Sequence, residues 1–365
     1  MNIAWNNYGW DFGNNAAGYG GGNGYDPLWW ENTFNDIKLH GGNCVRIWIH
    51  CKAEHNPLFN SSGFCTGLNT NFFNHLDDLL LRAENHNLMV IFCLFDFMLA
   101  DVGRHDLIKD VHKTQAYINN ALKPMVQRYA GKCNLLAWEI INEPEWIMSG
   151  VPGAGNHAGA PVTISEMQRF VGMCASVIHR NSSKYVTVGS TSIKWNSTVT
   201  PAVQNYWTDA MLRNATSDDP FAYLDFYQIH YYDWMGNSLS PFATLKSYWQ
   251  LDKPVLIGET GDNGNYNFQQ QYNLSYQNGY AGTLMWAYKS GGAAAWNDFK
   301  NAMKNFRNNN TSIVDFSCAA VSTTVPVEHS ELPKTILIQK GQTLHLSASD
   351  FSNSYDFQLL DLYGK

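Results

Sequence analysis

Two apolar runs that each stop on a carboxylate constrain this chain more than anything else in it. The first is Leu135-Leu136-Ala137-Trp138-Glu139-Ile140-Ile141-Asn142-Glu143-Pro144, bounded by Gly131 and Pro144. A run this short and this apolar fits a strand buried on both faces of a parallel sheet. Its polar residues collect at the C-terminal end, where α/β folds place their chemistry. The second run, Pro254-Val255-Leu256-Ile257-Gly258-Glu259, ends the same way. Two strand-end glutamates point to chemistry by a pair of carboxylates.

The rest of the chain alternates strand and helix around these two runs. Strands are expected at Asn2 to Trp5, Cys44 to His50, Leu88 to Asp96, Tyr185 to Ser190, Phe226 to His230 and Gly282 to Trp286, which with the two runs makes eight. Helices are expected near Trp29 to Leu39, from Asn71 to Asn85, from Thr114 to Ala130 with a bend at Pro124, and from an N-cap at Ser165 to His179. Eight strand-helix units read as a closed (β/α)8 TIM barrel in the α/β class, and 365 residues hold such a barrel of ~250 residues plus an extension. A doubly wound open sheet is the alternative, but no Gly-rich phosphate fingerprint follows the first strand. Strand one starts almost at Met1 and is too short for its neighbours, so residues ahead of it are expected. The barrel is placed at 1–310, a linker at 311–333 and a small β extension packing on the barrel at 334–365. Within that extension, strands are read at Thr335 to Gln339, Thr343 to Ser347 and Asp356 to Leu362.

Composition narrows the partner. The net charge is −7, with no basic footprint for nucleic acid. Charged residues are 15% of the chain, against an average of roughly 25%, and aromatics are 14%. Uncharged hydrogen-bonding groups and flat rings suit a neutral polyhydroxylated ligand. No apolar run approaches the roughly 18 residues needed to cross a membrane, and the first residues do not read as a signal peptide. Acceptors of the Asn-x-Ser/Thr type at Asn60, Asn181, Asn196, Asn214, Asn273, Asn309 and Asn310 nevertheless point to a secreted, extracellular glycoprotein whose leader lies outside these residues. Among seven cysteines, Cys51 and Cys65 bracket a Gly/Asn/Ser-rich loop and are expected to close it as a disulfide, whereas Cys44 and Cys93 read as buried thiols. No His-Glu-x-x-His or paired Cys-x-x-Cys spacing occurs, so neither a metal nor another cofactor is expected. A monomer is the expected state.

Five motifs in strand order carry a resemblance: Asn6-Asn7-Tyr8 with Asp11-Phe12-Gly13, Gly41-Gly42-Asn43-Cys44-Val45-Arg46, Trp138-Glu139-Ile140-Ile141-Asn142-Glu143-Pro144, Phe226-Tyr227-Gln228-Ile229-His230-Tyr231-Tyr232-Asp233-Trp234, and Ile257-Gly258-Glu259. Together they resemble family 5 glycoside hydrolases, and within them the endo-β-1,4-mannanases of animals such as molluscs. The resemblance spans about residues 1 to 310. It implies that Glu143 is the acid/base and Glu259 the nucleophile of a retaining enzyme acting on mannan or glucomannan. It also implies that Arg46 and Tyr232 hydrogen-bond Glu259 and lower its pKa, that His230 contacts Glu143, that Asn142 takes the sugar 2-hydroxyl, and that Trp286 is the floor beneath the sugar.

Plainer readings stand beside these. A strand arginine such as Arg46 could simply pair a buried acid, and Glu139, of the same strand parity as Glu143, is the candidate. His230 and Tyr232 could be satisfied core residues, and Trp48, Trp146, Trp195 and Trp234 could be sugar platforms or core anchors. Glu145 reads as an exposed loop residue. Many family members carry a histidine at the end of strand three, where this chain reads Phe92-Cys93-Leu94-Phe95-Asp96, and that departure weakens a glucanase reading more than a hydrolase reading. An endo-β-1,4-glucanase and a non-catalytic glycan-binding barrel are the competing functions, the latter opposed by the presence of both glutamates.

Overall fold

A computed structural model describes residues 1–13, 24–261, 264–289 and 292–314, without the side chains of Tyr8 and 292–295. They belong to the first of two units into which the chain divides, Met1–Val321. The strands expected in the extension, and all of the linker beyond the helical turn Thr311–Val314, lie outside the described residues.

Eight strands form one parallel sheet in chain order: β1 Asn2–Ile3, β2 Cys44–Trp48, β3 Met89–Asp96, β4 Leu135–Asn142, β5 Tyr185–Ser190, β6 Tyr227–Tyr231, β7 Val255–Thr260 and β8 Gly282–Met285. This is the expected (β/α)8 barrel, with boundaries shifted by one or two residues. Its outward positions, among them Val45, Ile47, Phe92, Trp138, Ile140, Val188, Ile229 and Ile257, join the large cluster shared with the surrounding helices. Inward positions at the bottom form a smaller apolar plug of Ile91, Ala137 and Leu284 with Cys44, Phe226 and Leu256. Above the plug the barrel interior turns polar, with Asn2, Arg46, Glu139 and Gln228 fully buried. Gly189 and Gly258 give that polar layer its room. A Cβ at Gly189 would stand 2.2 Å from Glu139 Oε1, and one at Gly258 2.4 Å from Gln228 Cγ.

The seam between the first and last strands is held differently from the rest. The Asn2 side-chain amide donates to the carbonyls of Gly258, Leu284 and Met285 at 2.8, 3.3 and 3.2 Å, and the Tyr288 amide donates to Asn2 O at 2.9 Å. A two-residue strand therefore closes the barrel through a side chain.

Local chemistry explains the helices and three corrections. Asp26 caps Pro27–Leu39, with proline at the first turn where its missing N–H costs nothing. The expected cap at Ser165 is instead Thr163, which forms a reciprocal capping box with Glu166 and starts the helix Ile164–Asn181. The helix expected to bend at Pro124 is Val111–Tyr117, a π turn over Ile118–Leu122, and Lys123–Tyr129; the wider turn sits just ahead of the residue that lacks an N–H. Cys51 and Cys65 do not pair. Both are buried free thiols, Cys51 packed with Ala4, Trp48 and Cys93, and Cys65 turned into the main core. Among the described residues, no helix is long and apolar enough to cross a membrane.

Asn2→Ala would leave Arg46 short of an acceptor and several seam carbonyls short of a donor. We expect it to lower unfolding free energy by about 3 kcal/mol in urea titration. An unchanged denaturation midpoint would show that the seam does not need this amide.

Candidate functional site

The site begins with Arg46, inward on β2 and fully buried. Its Nε and Nη2 form a fork on Glu139 at 2.5 and 2.6 Å; Nη1 reaches Asn2 Oδ1 and Glu259 Oε1, both at 2.8 Å; and Nη2 also reaches Asn142 Oδ1 at 2.7 Å. All five N–H donors of the guanidinium are used. The two readings of Arg46 offered by the sequence therefore both hold: it pairs the buried acid Glu139 and it reaches Glu259.

Strand alternation alone would not bring Asn142 and Glu259 to this point. On β7, Leu256 lines the interior and Ile257 faces the helices, so strict alternation would turn Glu259 outward. The register with β6 pairs Ile257 with Ile229 and then Glu259 with His230, skipping Gly258. On β4, Glu139 opposes Thr187 and Asn142 opposes Gly189, so three residues advance while the partner advances two. Each shift is a β-bulge that re-aims the side chain after it. Glu143 then adopts a left-handed backbone, φ 47° and ψ 46°, with its amide donating to Gly189 O at 2.6 Å. Such a conformation is costly for a non-glycine residue and persists only where its surroundings hold it.

The result is a compact pair. Glu143 Oε1 is 2.8 Å from His230 Nδ1, and Glu143 Oε2 accepts from the Trp146 indole at 2.8 Å. Glu259 Oε2 accepts from Tyr232 Oη at 2.9 Å and lies 3.6 Å from His230 Nδ1. A carboxylate oxygen of each glutamate and the His230 nitrogen all lie within 4.8 Å of one another. These three atoms are spaced as cation ligands are, but hydrogen bonds within the protein already engage each of them.

Burial and neighbours set the charges. Burial pushes the Glu143 carboxyl up to about 7, against the pull of the Trp146 hydrogen bond. Burial also raises Glu259, while His230, Arg46 and the Tyr232 hydroxyl favour its charged form and Glu143 opposes it. The lowering expected for Glu259 is thus a counterweight to burial and not the net result. Glu139 ends below its ordinary value, because the Arg46 fork outweighs desolvation. Burial pushes His230 below its ordinary value, against the pull of Glu259 and Glu139.

Around the pair lies a cleft of about 630 Å³ lined by Trp5, Trp48, Trp234 and Trp286 and by Lys52, Asp96, Phe97, Met98, Asn142 and Tyr232. Trp286 follows the last residue of β8, and its indole meets Trp5 and Trp48 at 5.9 and 5.7 Å. Trp195 is buried with its N–H on Pro152 O, so it is an anchor. Trp234 is 68% exposed and turns its ring to the cleft. Asp96 accepts from Asn142 Nδ2 at 2.7 Å and from the Met98 amide at 2.9 Å. Since Arg46 can only donate, Asn142 Oδ1 must face it, and Nδ2 faces Asp96. Glu145 is not an exposed loop residue. It is buried, taking Ser190 Oγ, the Thr191 amide and hydroxyl, and the Trp207 indole. The loop after β4 is thereby tied to the end of β5. Trp5, Lys52, Phe97 and Met98 escaped the sequence reading, although Trp5, Phe97 and Met98 sit just past strand ends where such residues are to be sought.

Comparison with known proteins agrees with this geometry. Residues 11–297 match the family model described as Cellulase (glycosyl hydrolase family 5). A mannan endo-1,4-beta-mannosidase of Cryptopygus antarcticus is 34% identical over 316 residues, 80% of this chain and 80% of that protein. The X-ray structure of beta-mannanase from the blue mussel Mytilus edulis superposes with a TM-score of 0.76 at 31% identity, covering 86% of this chain and 92% of that one. The endo-1,4-beta-mannanase structure from Eisenia fetida gives 0.73 at 32% identity, over 83% and 90%.

Arg46→Lys keeps the charge and loses the fork, stranding acceptors on Glu139, Asn142 or Glu259. We expect a loss of about 3–5 kcal/mol in chemical denaturation. A wild-type unfolding curve would show that a point charge suffices here.

Proposed function

The chain belongs to glycoside hydrolase family 5, and from that premise we propose that it is an endo-acting β-1,4-mannanase cleaving mannan and glucomannan with retention of configuration. The observation that carries the mechanism is the closeness of the two carboxyls, with oxygens within 4.8 Å. Carboxyls about 5–5.5 Å apart leave no room for a water between nucleophile and sugar, whereas inversion needs about 6.5–9.5 Å. Glu259, supplied with donors by Arg46 and Tyr232, attacks the anomeric carbon as Glu143 passes its proton to the departing glycosidic oxygen. Water then attacks the glycosyl ester, its proton goes to Glu143, and Glu259 leaves as carboxylate. A Glu143 carboxyl with a pKa near 7 suits both halves, because it can hold the proton first and accept one later.

Asn142 offers its spare amide hydrogen to the 2-hydroxyl at the reacting sugar, and Trp286 with Trp48 forms an apolar floor. Mannan as substrate is supported by the relatives named for it at 33 and 34% identity. The family model is itself described as Cellulase, which keeps β-1,4-glucan as the competing substrate.

Reducing-sugar release from mannan, carboxymethylcellulose and xylan in parallel tests the substrate; mannan should be cut internally and fastest, and equal cleavage of the glucan would overturn that choice. For mechanism, Glu259→Ala should abolish bond cleavage. Glu143→Ala should still react with substrates bearing good leaving groups and yield a β-glycosyl azide when azide is added. An α-configured first product by NMR would rule out retention.

Secretion belongs to the same proposal. Asn60, Asn214, Asn273 and Asn309 are exposed, while Asn196 is buried with its amide on Ser192 O and is a poor acceptor. Protein from a eukaryotic secretory host should lose mass on glycosidase treatment, with Asn196 unmodified in peptide maps. Failure to leave the cell behind a cleavable leader, or an unchanged mass, would count against secretion.

A further inference from the structure

Glu143 has two carboxyl oxygens and two partners. On the inner side, His230 Nδ1 holds Oε1 at 2.8 Å, and this same nitrogen leans toward Glu259 at 3.6 Å. On the outer side, the Trp146 indole holds Oε2 at 2.8 Å. One partner alone would leave the carboxyl free to pivot about the bond that carries it; two on opposite oxygens fix its plane. Trp146 is itself held. Its ring lies 6.4 Å from Trp195 and 6.2 Å from Trp234, and a Cβ at Gly155 would come within 2.4 Å of Trp146 Cε3. Trp146 thus stands between the acid/base carboxyl and the exposed ring of Trp234 in the cleft.

We propose that Trp146 is a positioning residue for the proton transfer: its indole N–H orients the Glu143 carboxyl toward the leaving oxygen and sets the pH at which that proton is lost. The proposal rests on the reading of Glu143 as the acid/base. Its sign follows from the donor. An N–H aimed at a carboxylate favours the ionised form, so the indole holds the Glu143 pKa lower than burial alone would set it. Removing the N–H should send it up.

The test is the pH profile of kcat/KM on a mannooligosaccharide with the full chain. In the wild type the alkaline limb should fall near pH 7, as Glu143 loses its proton. Trp146→Phe keeps a ring against Trp195 and Trp234 and removes the N–H. It should move the alkaline limb up by roughly half to one pH unit and lower kcat/KM at the optimum by on the order of 10-fold. A substrate whose leaving group needs no proton should lose much less. Trp195→Phe, which changes a ring neighbour and leaves the hydrogen bond, should keep the limb in place. If Trp146→Phe does not fold by circular dichroism, Gly155→Ala displaces the indole from beneath and should shift the limb in the same direction.

A limb that stays at the wild-type pH in the folded variant, with Glu143→Gln inactive, overturns the proposal alone. Glu143→Gln retaining wild-type rate and profile overturns the acid/base reading and this proposal with it. Equal losses on substrates with good and poor leaving groups would show a general disturbance of the cleft and also overturn it.

Discussion

A single buried guanidinium joins the fold to the chemistry. Arg46 stands where a barrel of this kind ordinarily carries a layer of aliphatic side chains, and a lone cation there would be very costly to desolvate. It is tolerated because every N–H has an acceptor, and those acceptors come from β1, β4 and β7 as well as from the site itself. Gly189 leaves room for Glu139, which takes the guanidinium fork, and Gly258 for Gln228, which donates to Glu139 in turn. The same atom set therefore closes the barrel seam through Asn2, neutralises the interior through Glu139 and presents Glu259 to the cleft.

The polar layer also accounts for how two neighbouring carboxyls can differ. Both are buried, and burial raises both. Glu259 meets the guanidinium and a phenol, whereas Glu143 meets an indole and an imidazole. The donors that favour a charged carboxylate are thus concentrated on Glu259. Asp96 takes a supporting place, fixing the Asn142 amide from one side as Arg46 fixes it from the other, and capping the turn that carries Phe97 and Met98.

Much of this was legible in the chain because parallel strands buried on both faces read as apolar runs, and because functional groups gather where those runs stop. The eight strands and the two strand-end glutamates follow from that pattern, whereas the convergence of Arg46, Asn142, His230, Tyr232 and Trp286 on them was implied by the family resemblance of their motifs. What was not legible depended on partners distant in sequence. Glu145 looks like a loop residue until Ser190, Thr191 and Trp207 are folded against it. Cys51 and Cys65 flank one loop, yet they sink into different apolar clusters. Parity reasoning that grouped Glu139 with Glu143 could not foresee the bulge between them. Nor could composition show that Lys52 would stand in the cleft wall.

The bulge at Gly258 has a consequence for how such a chain can change over time. Along β7 the count of residues and the count of side-chain directions differ by one, and Glu259 reaches the cleft only because of that offset. Exchanging one residue for another leaves the offset intact. Losing one residue there would remove the bulge and, by plain alternation from Leu256, leave the carboxylate facing inward; the offset is what lets the strand hold one more residue, Gly258, against Gln228 without turning Glu259 away. The spelling is therefore fixed at that one place, since a Cβ at Gly258 would stand 2.4 Å from Gln228 Cγ, while the length sets only which neighbour the carboxylate stands beside.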